Sequence, residues 1–323
     1  MSMTDGTVCC WQDGSQDGKS RRRSQVSKQI VSLLLVFIIA AFLISISGLL
    51  SGCTGRDIQG TIVVSGSTTL LPIAEVAAQE FEASRPYYNV LVSGMGTSAG
   101  IEAVGVSGTA DVGTASRELR GDEQALNLIE IPVAYDGIAV IVHPSNPIND
   151  LSVQQVRDIF AGNITNWSEV GGADLPIVIV NRDEASGTRS AFATAVMGDE
   201  RFEVNSVVLP GTGQVREVVA RTPEAIGYIS VGFVEPRHVE TIVKPLTLDG
   251  IKPTDENIIS GVYPVSRILH FLTNGVPSDA PLEYIEFVLS EQVQYGAVID
   301  AGFLPVTEAD LAEFRALLAE DKQ

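Results

Sequence analysis

Three stretches of this chain repeat one local pattern: a short β-branched run, a loop of serine, threonine and glycine, then apolar residues at helical spacing. They are Thr61-Ile62-Val63-Val64 before Ser65-Gly66-Ser67-Thr68-Thr69, Val90-Leu91-Val92 before Ser93-Gly94-Met95-Gly96-Thr97-Ser98, and Ile177-Val178-Ile179-Val180 before Asn181-Arg182-Asp183-Glu184-Ala185-Ser186-Gly187-Thr188. Strand, loop and helix in succession predict an α/β fold on a parallel sheet, where ligands bind beyond the carboxyl ends of the strands. All three loops lie at that end, where helix N-termini expose backbone N–H groups. With Arg182 and Arg189 on its flanks, the third loop suits an anion; the alternative is that Ser186 or Thr188 is only an N-cap.

The rest of the chain fits around these units. Pro72 opens a helix carrying Ile73, Val76, Ala77 and Phe81, and Pro86 ends it. The second loop leads to a helix expected from Ile101. A third strand, Asp111-Val112-Gly113-Thr114-Ala115, ends in Ser116-Arg117 before a short helix expected at 122–128. Gly94-Met95-Gly96 is not a dinucleotide fingerprint, because Ala99 stands where the third glycine belongs.

Residues 129–144 are too long and too β-rich for one more unit; with Asp136-Gly137 at the junction, they predict a strand crossing between two domains. In the second domain Ser152 and Gln155 fit a capping box. Trp167 reads as a residue packed on the adjacent helix rather than a ligand platform. Val207-Val208-Leu209 leads through Gly211-Thr212-Gly213 to a further helix, 225–230 is a strand and 252–259 reads as loop. Residues 263–272 form a second long strand suited to return to the first domain, and helices are expected at 281–290 and 308–318.

The N-terminus predicts export. Lys19, Arg21, Arg22, Arg23 and Lys28 precede an uncharged apolar run at 30–50, which ends in Leu50-Ser51-Gly52-Cys53. That ending resembles a lipobox, with Cys53 as the lipid anchor; the alternative is an uncleaved membrane helix at 30–50. Either places the folded part outside the membrane and tethered to it. The expected organisation is a leader at 1–29, the anchor segment at 30–53, a linker at 54–60, a first lobe at 61–136 and 272–323, and a second at 137–271. Of 21 basic and 40 acidic residues, residues 1–52 hold five and three, leaving 16 and 37 for the folded part. So acidic a surface excludes nucleic acid as a partner, and an anion needs a locally built site. Cys9, Cys10 and Cys53 are the only cysteines, so everything downstream folds without a disulfide.

The motifs also come in a recognisable order. Ser65-Gly66-Ser67-Thr68-Thr69, Gly94-Met95-Gly96-Thr97, Ala115-Ser116-Arg117-Glu118-Leu119, the 136–142 run from Asp136-Gly137, Ile164-Thr165-Asn166-Trp167 and Ser186-Gly187-Thr188-Arg189 resemble, in register over about residues 58–306, the phosphate-binding proteins of phosphate ABC importers, the PstS family. The resemblance implies a two-lobed periplasmic-binding-protein fold of the second type, with two strands as hinge. It also implies a monomer that captures inorganic phosphate and hands it to an ABC permease, with no cofactor and no metal. Carried over, the ligand contacts fall on Ser67, Thr68, Thr69, Thr97, Ser116, Arg182, Ser186, Gly187 and Thr188, with Arg117 and Arg189 as additions.

Three departures stand out. Thr97 replaces the usual serine, Ala185 a common glycine, and Arg117 stands where some members place an aspartate that accepts the proton of bound phosphate. Such a carboxylate matters because near neutral pH phosphate carries a proton and sulfate does not. Asp136 is the candidate acceptor here; the alternative is a hinge carboxylate bonded to backbone N–H groups. Glu184 is expected to orient Arg182. Another oxyanion (sulfate, molybdate or tungstate) remains an alternative ligand. A surface phosphoester hydrolase is poorly supported, since His143, His238 and His270 lie in or beside strands without a paired nucleophile. A sensor or adhesion lobe on the same fold is a third reading.

Overall fold

The computed structural model describes residues 58–234 and 242–321. The leader, the apolar run at 30–50, Cys53 and His238 lie outside the described residues. Among the described residues, no helix is long and apolar enough to cross a membrane.

β1 (Gly60–Gly66) pairs in parallel with β2 (Tyr88–Gly94) on one side and β3 (Val112–Ala115) on the other. β4 (Leu128–Val142) follows, then β5 (Val178–Arg182), β6 (Val207–Leu209), β7 (Ala225–Ser230) and β8 (Ser266–Asn274). The strand order is β2-β1-β3-β8-β4-β7-β5-β6. The predicted crossing strand is β4: up to Gly137 it pairs antiparallel with β8, and from Ile138 with β7. β8 is the second connection. It pairs with β4 along its length, Ser266–Asn274, and with β3 from His270 to Leu272.

Helices cover the sheet faces. α1 (Leu71–Ser84) starts with Pro72 in its first turn, and its buried Ile73, Ala74, Ala77, Ala78 and Phe81 recur at helical spacing. They meet Ile62 and Val64 of the sheet. Phe81 stands edge-on to Tyr284, ring centroids 5.5 Å apart. Full burial of that ring contributes about 2–3 kcal/mol. In the second lobe both faces of β7 are buried. Ile226 and Tyr228 join Phe160, Trp167 and Phe192 on one side; Ala225 and Ile229 join Val215 and Val219 on the other. Trp167 is core, as expected, with Nε1 donating to the Glu224 carbonyl at 2.9 Å.

Several boundaries differ from expectation for local reasons. α2 (Thr97–Gly105) begins four residues before Ile101, because Gly96 takes φ +97° as its N-cap and turns the threonine and serine into the first turn. Residues 122–128 form only a 3-10 turn, Glu123–Ala125, since Leu128 already belongs to β4. α3 (Val153–Phe160) has both bonds of the predicted capping box. α4 (Gly187–Phe192) starts two residues before Arg189, with Ser186 as N-cap, and runs into a π turn at Ala193–Met197. α5 (Thr212–Arg221) follows β6 as expected. The polar 252–259 stretch contains a helix, α6 (Asp255–Ile259), because Thr254 caps it. α7 (Asp279–Val288) and α8 (Ala312–Asp321) are shifted by a few residues from 281–290 and 308–318.

Candidate functional site

The carboxyl ends of β1, β3, β5 and β6 and the N-termini of α2, α4 and α5 meet between the lobes. There serines and threonines from several loops gather into a ring of hydroxyls, in two bonded groups: Ser67 with Ser116, and Thr68, Thr69, Thr188 and Thr212. Ser67 Oγ, held by N–H groups of Thr69 and Leu70, bonds to Ser116 Oγ. Thr97 Oγ1 accepts from the Ser116 N–H at 3.0 Å. Three hydroxyl contacts then cross between lobes: Thr69 Oγ1 to Thr188 Oγ1 at 3.1 Å, Thr68 Oγ1 to Thr212 Oγ1 at 3.2 Å, and Thr69 Oγ1 to Thr212 Oγ1 at 3.5 Å. Gly187 permits this approach, since a Cβ there would stand 2.2 Å from Thr97 Oγ1 and 3.0 Å from the Ser116 Cβ.

Arg182 ends β5 beneath this ring and is 2 % exposed. Its Nε donates to the Leu209 carbonyl at 3.2 Å and its Nη2 to the Pro210 carbonyl at 2.8 Å. The remaining bonds go to Thr212 Oγ1 at 3.1 Å and Thr68 Oγ1 at 3.3 Å. All four partners are neutral. Burial draws the guanidinium below its ordinary pKa, with the nearby Asp183 offsetting this only in part, and a buried charge with no bonded counter-charge costs several kcal/mol. An oxyanion among the hydroxyls supplies that counter-charge and matches the guanidinium's planar donors.

Asp136 is buried on β4, directly opposite Arg267 of β8. Arg267 donates to Oδ2 from Nε at 2.8 Å and from Nη2 at 2.6 Å, while Ser230 Oγ donates to Oδ1 at 2.7 Å. The Val231 backbone N–H also donates to this carboxylate. Burial pushes its pKa up, and Arg267 and Ser230 pull it back. A carboxylate has about four acceptor positions, and all four are taken. This arrangement is that of a hinge carboxylate, with an arginine as its main partner in addition to backbone N–H. Arg267 Nη1 continues from it to Thr188 Oγ1 at 3.1 Å and the Ser116 carbonyl at 2.9 Å.

Of the residues expected in the site, the structure brings together Ser67, Thr68, Thr69, Thr97, Ser116, Arg182, Gly187 and Thr188. Ser186 lies beside them, with its Oγ engaged as the α4 cap by the Arg189 N–H at 3.1 Å. Arg117 and Arg189 are not brought in. Arg117 turns away to a bidentate pair with Glu123, at 2.6 and 2.7 Å, and the Arg189 guanidinium lies over the Phe202 ring, 4.6 Å from its centroid. Glu184 is exposed; carbonyls of Leu209 and Pro210, not this carboxylate, orient Arg182. His143 bonds to Ser145, and buried His270 lies on β8; neither bonds to a ring hydroxyl.

Three participants escaped sequence reading. Thr212 had a local signal, because Val207-Val208-Leu209, Gly211-Thr212-Gly213 and α5 repeat the opening pattern. Arg267 is a charge inside an apolar strand, a pattern that calls for a buried partner. Ser230, the last residue of β7, had no such signal.

Residues 52–292 match the family model of the PBP superfamily domain. The phosphate-binding protein PstS of Bacillus subtilis is 32% identical over 253 residues, covering 77% of this chain and 82% of that protein. The PstS of Borreliella burgdorferi is 29% identical over 277 residues, 83% and 98% of the two chains. Among solved structures, a phosphate ABC transporter substrate-binding protein from Clostridium perfringens, crystallised with bound phosphate, is 37% identical with a TM-score of 0.71, covering 76% of this chain and 100% of that one. An ABC-type phosphate transport receptor from Vibrio cholerae is 31% identical with a TM-score of 0.64, covering 76% and 100%.

Proposed function

The chain belongs to the PBP superfamily and, within it, to the PstS family of phosphate-binding proteins, and from that premise we propose that it captures inorganic phosphate between its lobes and delivers it to an ABC permease. The observation that carries this reading is Arg182: a buried guanidinium with four neutral partners, surrounded by hydroxyls from both lobes. The anion takes donors from Arg182, from the hydroxyls of Ser67, Thr68, Thr69, Thr97, Ser116, Thr188 and Thr212, and from the backbone near Gly187. Of the two buried arginines of the cleft only Arg267 is bonded to a carboxylate, in a chain whose formal net charge is −19. Attraction is therefore local.

Because the contacts come from both lobes, binding holds the lobes together, and the closed form is the one presented to the permease. We place the folded part on the extracytoplasmic face as a monomer, tethered through a lipid on Cys53 or through a helix at 30–50. Calorimetric titration of the full-length chain in detergent with phosphate is expected to give saturable one-site binding; no heat and no ligand-dependent rise in melting temperature overturns the reading. Loss of palmitate incorporation in Cys53→Ala would decide for the lipid, and unchanged membrane attachment without incorporation for the helix.

A further inference from the structure

Two polar contacts between the lobes lie outside the hydroxyl ring. The Ser98 N–H, in the first turn of α2, donates to the Ala185 carbonyl at 3.2 Å. The Arg120 guanidinium donates through Nη2 to Ser190 Oγ on α4. Both end on the segment that carries Gly187 and Thr188 into the ring, one just before α4 and one along it. The first runs between backbones pressed together, since a Cβ on Gly96 would stand 2.9 Å from the Ala185 carbonyl oxygen. The second has no such packing behind it. A cavity of about 360 Å³ opens beside it, lined by Leu119 and Arg120 of the first lobe, Ser190 and Thr194 of the second, and Arg267 of the hinge strand β8.

Each end of the Arg120 contact is prepared within its own lobe. The loop that carries the exposed Arg120 is fixed through its backbone: the Leu119 N–H donates to Glu130 Oε1 at 3.0 Å and the Arg120 N–H to Glu123 Oε2 at 2.8 Å. Ser190 is buried, and its O–H donates to the Ser186 carbonyl at 3.2 Å, which leaves a lone pair for the guanidinium. The same carbonyl accepts the Ser190 N–H at 3.1 Å and closes the first turn of α4. Arg120 therefore bonds to a side chain held by the very turn that presents Thr188. Among the described residues it has no bond to a ring hydroxyl.

Resting on the reading of the cleft as the phosphate site, we propose that Arg120 is a positioning residue for capture: its bond to Ser190 latches α4 to the first lobe and raises phosphate affinity without touching the anion. Contacts within the ring are shared with the ligand, because Thr68, Thr69, Thr188 and Thr212 must turn hydroxyls towards it. The latch is not shared. It forms only when the lobes meet, whatever lies between them, so its free energy favours the closed form. Apparent affinity rises with the population of that form. Capture begins with the lobes apart, when Arg120 and Ser190 do not meet, whereas release requires the latch to break. Its effect therefore falls on dissociation.

The test measures association and dissociation of radiolabelled phosphate by rapid filtration, on the full-length chain in detergent and on Arg120→Gln, Ser190→Ala and the double variant. Each single variant is expected to dissociate about tenfold faster, the worth of one hydrogen bond from a charged donor. Association is expected to change less than about twofold. The double variant should lose no more than either single one, since all three remove the same bond. Ser190→Ala alters no charge, so it separates the latch from attraction of the anion by the field of Arg120. An unchanged Ser190→Ala protein, a loss confined to association, or single losses that multiply in the double variant overturns the inference and leaves the phosphate-receptor reading standing. Failure of the unaltered chain to bind phosphate overturns the two together.

Discussion

Arg182 and Arg267 are buried to a similar depth, the first 2 % exposed and the second with 6 % of its side chain accessible, yet they are satisfied in different ways. Arg267 faces Asp136 across a strand pair and makes a bidentate ion pair. Arg182 faces backbone carbonyls and threonines. A buried arginine with its carboxylate is a finished structural unit; one without is a binding site. The contrast separates what holds the hinge from what holds the ligand, although both groups touch the same ring.

The contrast can be broken most forcefully at Arg182. Arg182→Gln is expected to weaken phosphate binding by roughly a thousandfold, in line with the 2–5 kcal/mol lost when one partner of a buried charged contact is truncated. Its melting temperature should hold or rise, because an uncompensated buried charge is removed. Asp136→Asn should do the opposite. It leaves Arg267 buried without its counter-charge and is expected to cost about 3–5 kcal/mol in denaturant unfolding. A stable Asp136→Asn protein that has lost phosphate alone would return Asp136 to the role of proton acceptor.

His270, three residues along the same strand, supplies a pH-dependent comparison. Burial lowers its pKa from 6.5 to about 4, so it is neutral in the fold. The unfolded chain takes up the proton first as pH falls. Stability is therefore level above pH 6.5 and declines from there towards pH 4, by about 3 kcal/mol in all. His270→Leu should flatten unfolding curves measured between those limits. Smaller effects sharpen the division further. Thr212→Val removes one hydroxyl from Arg182 and from the ring, and about a tenfold loss of phosphate affinity is expected by titration. Arg117→Gln should change that affinity less than about twofold, since Arg117 faces Glu123 and not the ring.

What was legible in the sequence was local. The βα units, the capping box at Ser152 and Gln155, the core position of Trp167 and the partner change at Gly137 all follow from spacing and residue type within a few positions. The same loops showed which hydroxyls would gather, because every strand of a βα unit ends at the same edge. The roles of the charged residues were less accessible. Asp136 meets Arg267 through a register between strands 131 residues apart in the chain. Arg117 and Ser116 are neighbours, but successive side chains point in different directions, and Glu123 in the following turn captures the guanidinium. Arg182 was found from its flanking position in the loop, yet its orientation by the Leu209 and Pro210 carbonyls depends on β6 lying beside β5.

The most direct measurement is a crystal structure of the phosphate-bound chain. It is expected to show a phosphate oxygen within about 3 Å of an Arg182 terminal nitrogen, with Thr68 and Thr212 hydroxyls on the same anion and Arg267 still bidentate on Asp136. Phosphate seated against Arg117 or Arg189, with Arg182 paired to Glu184 instead, would contradict the account.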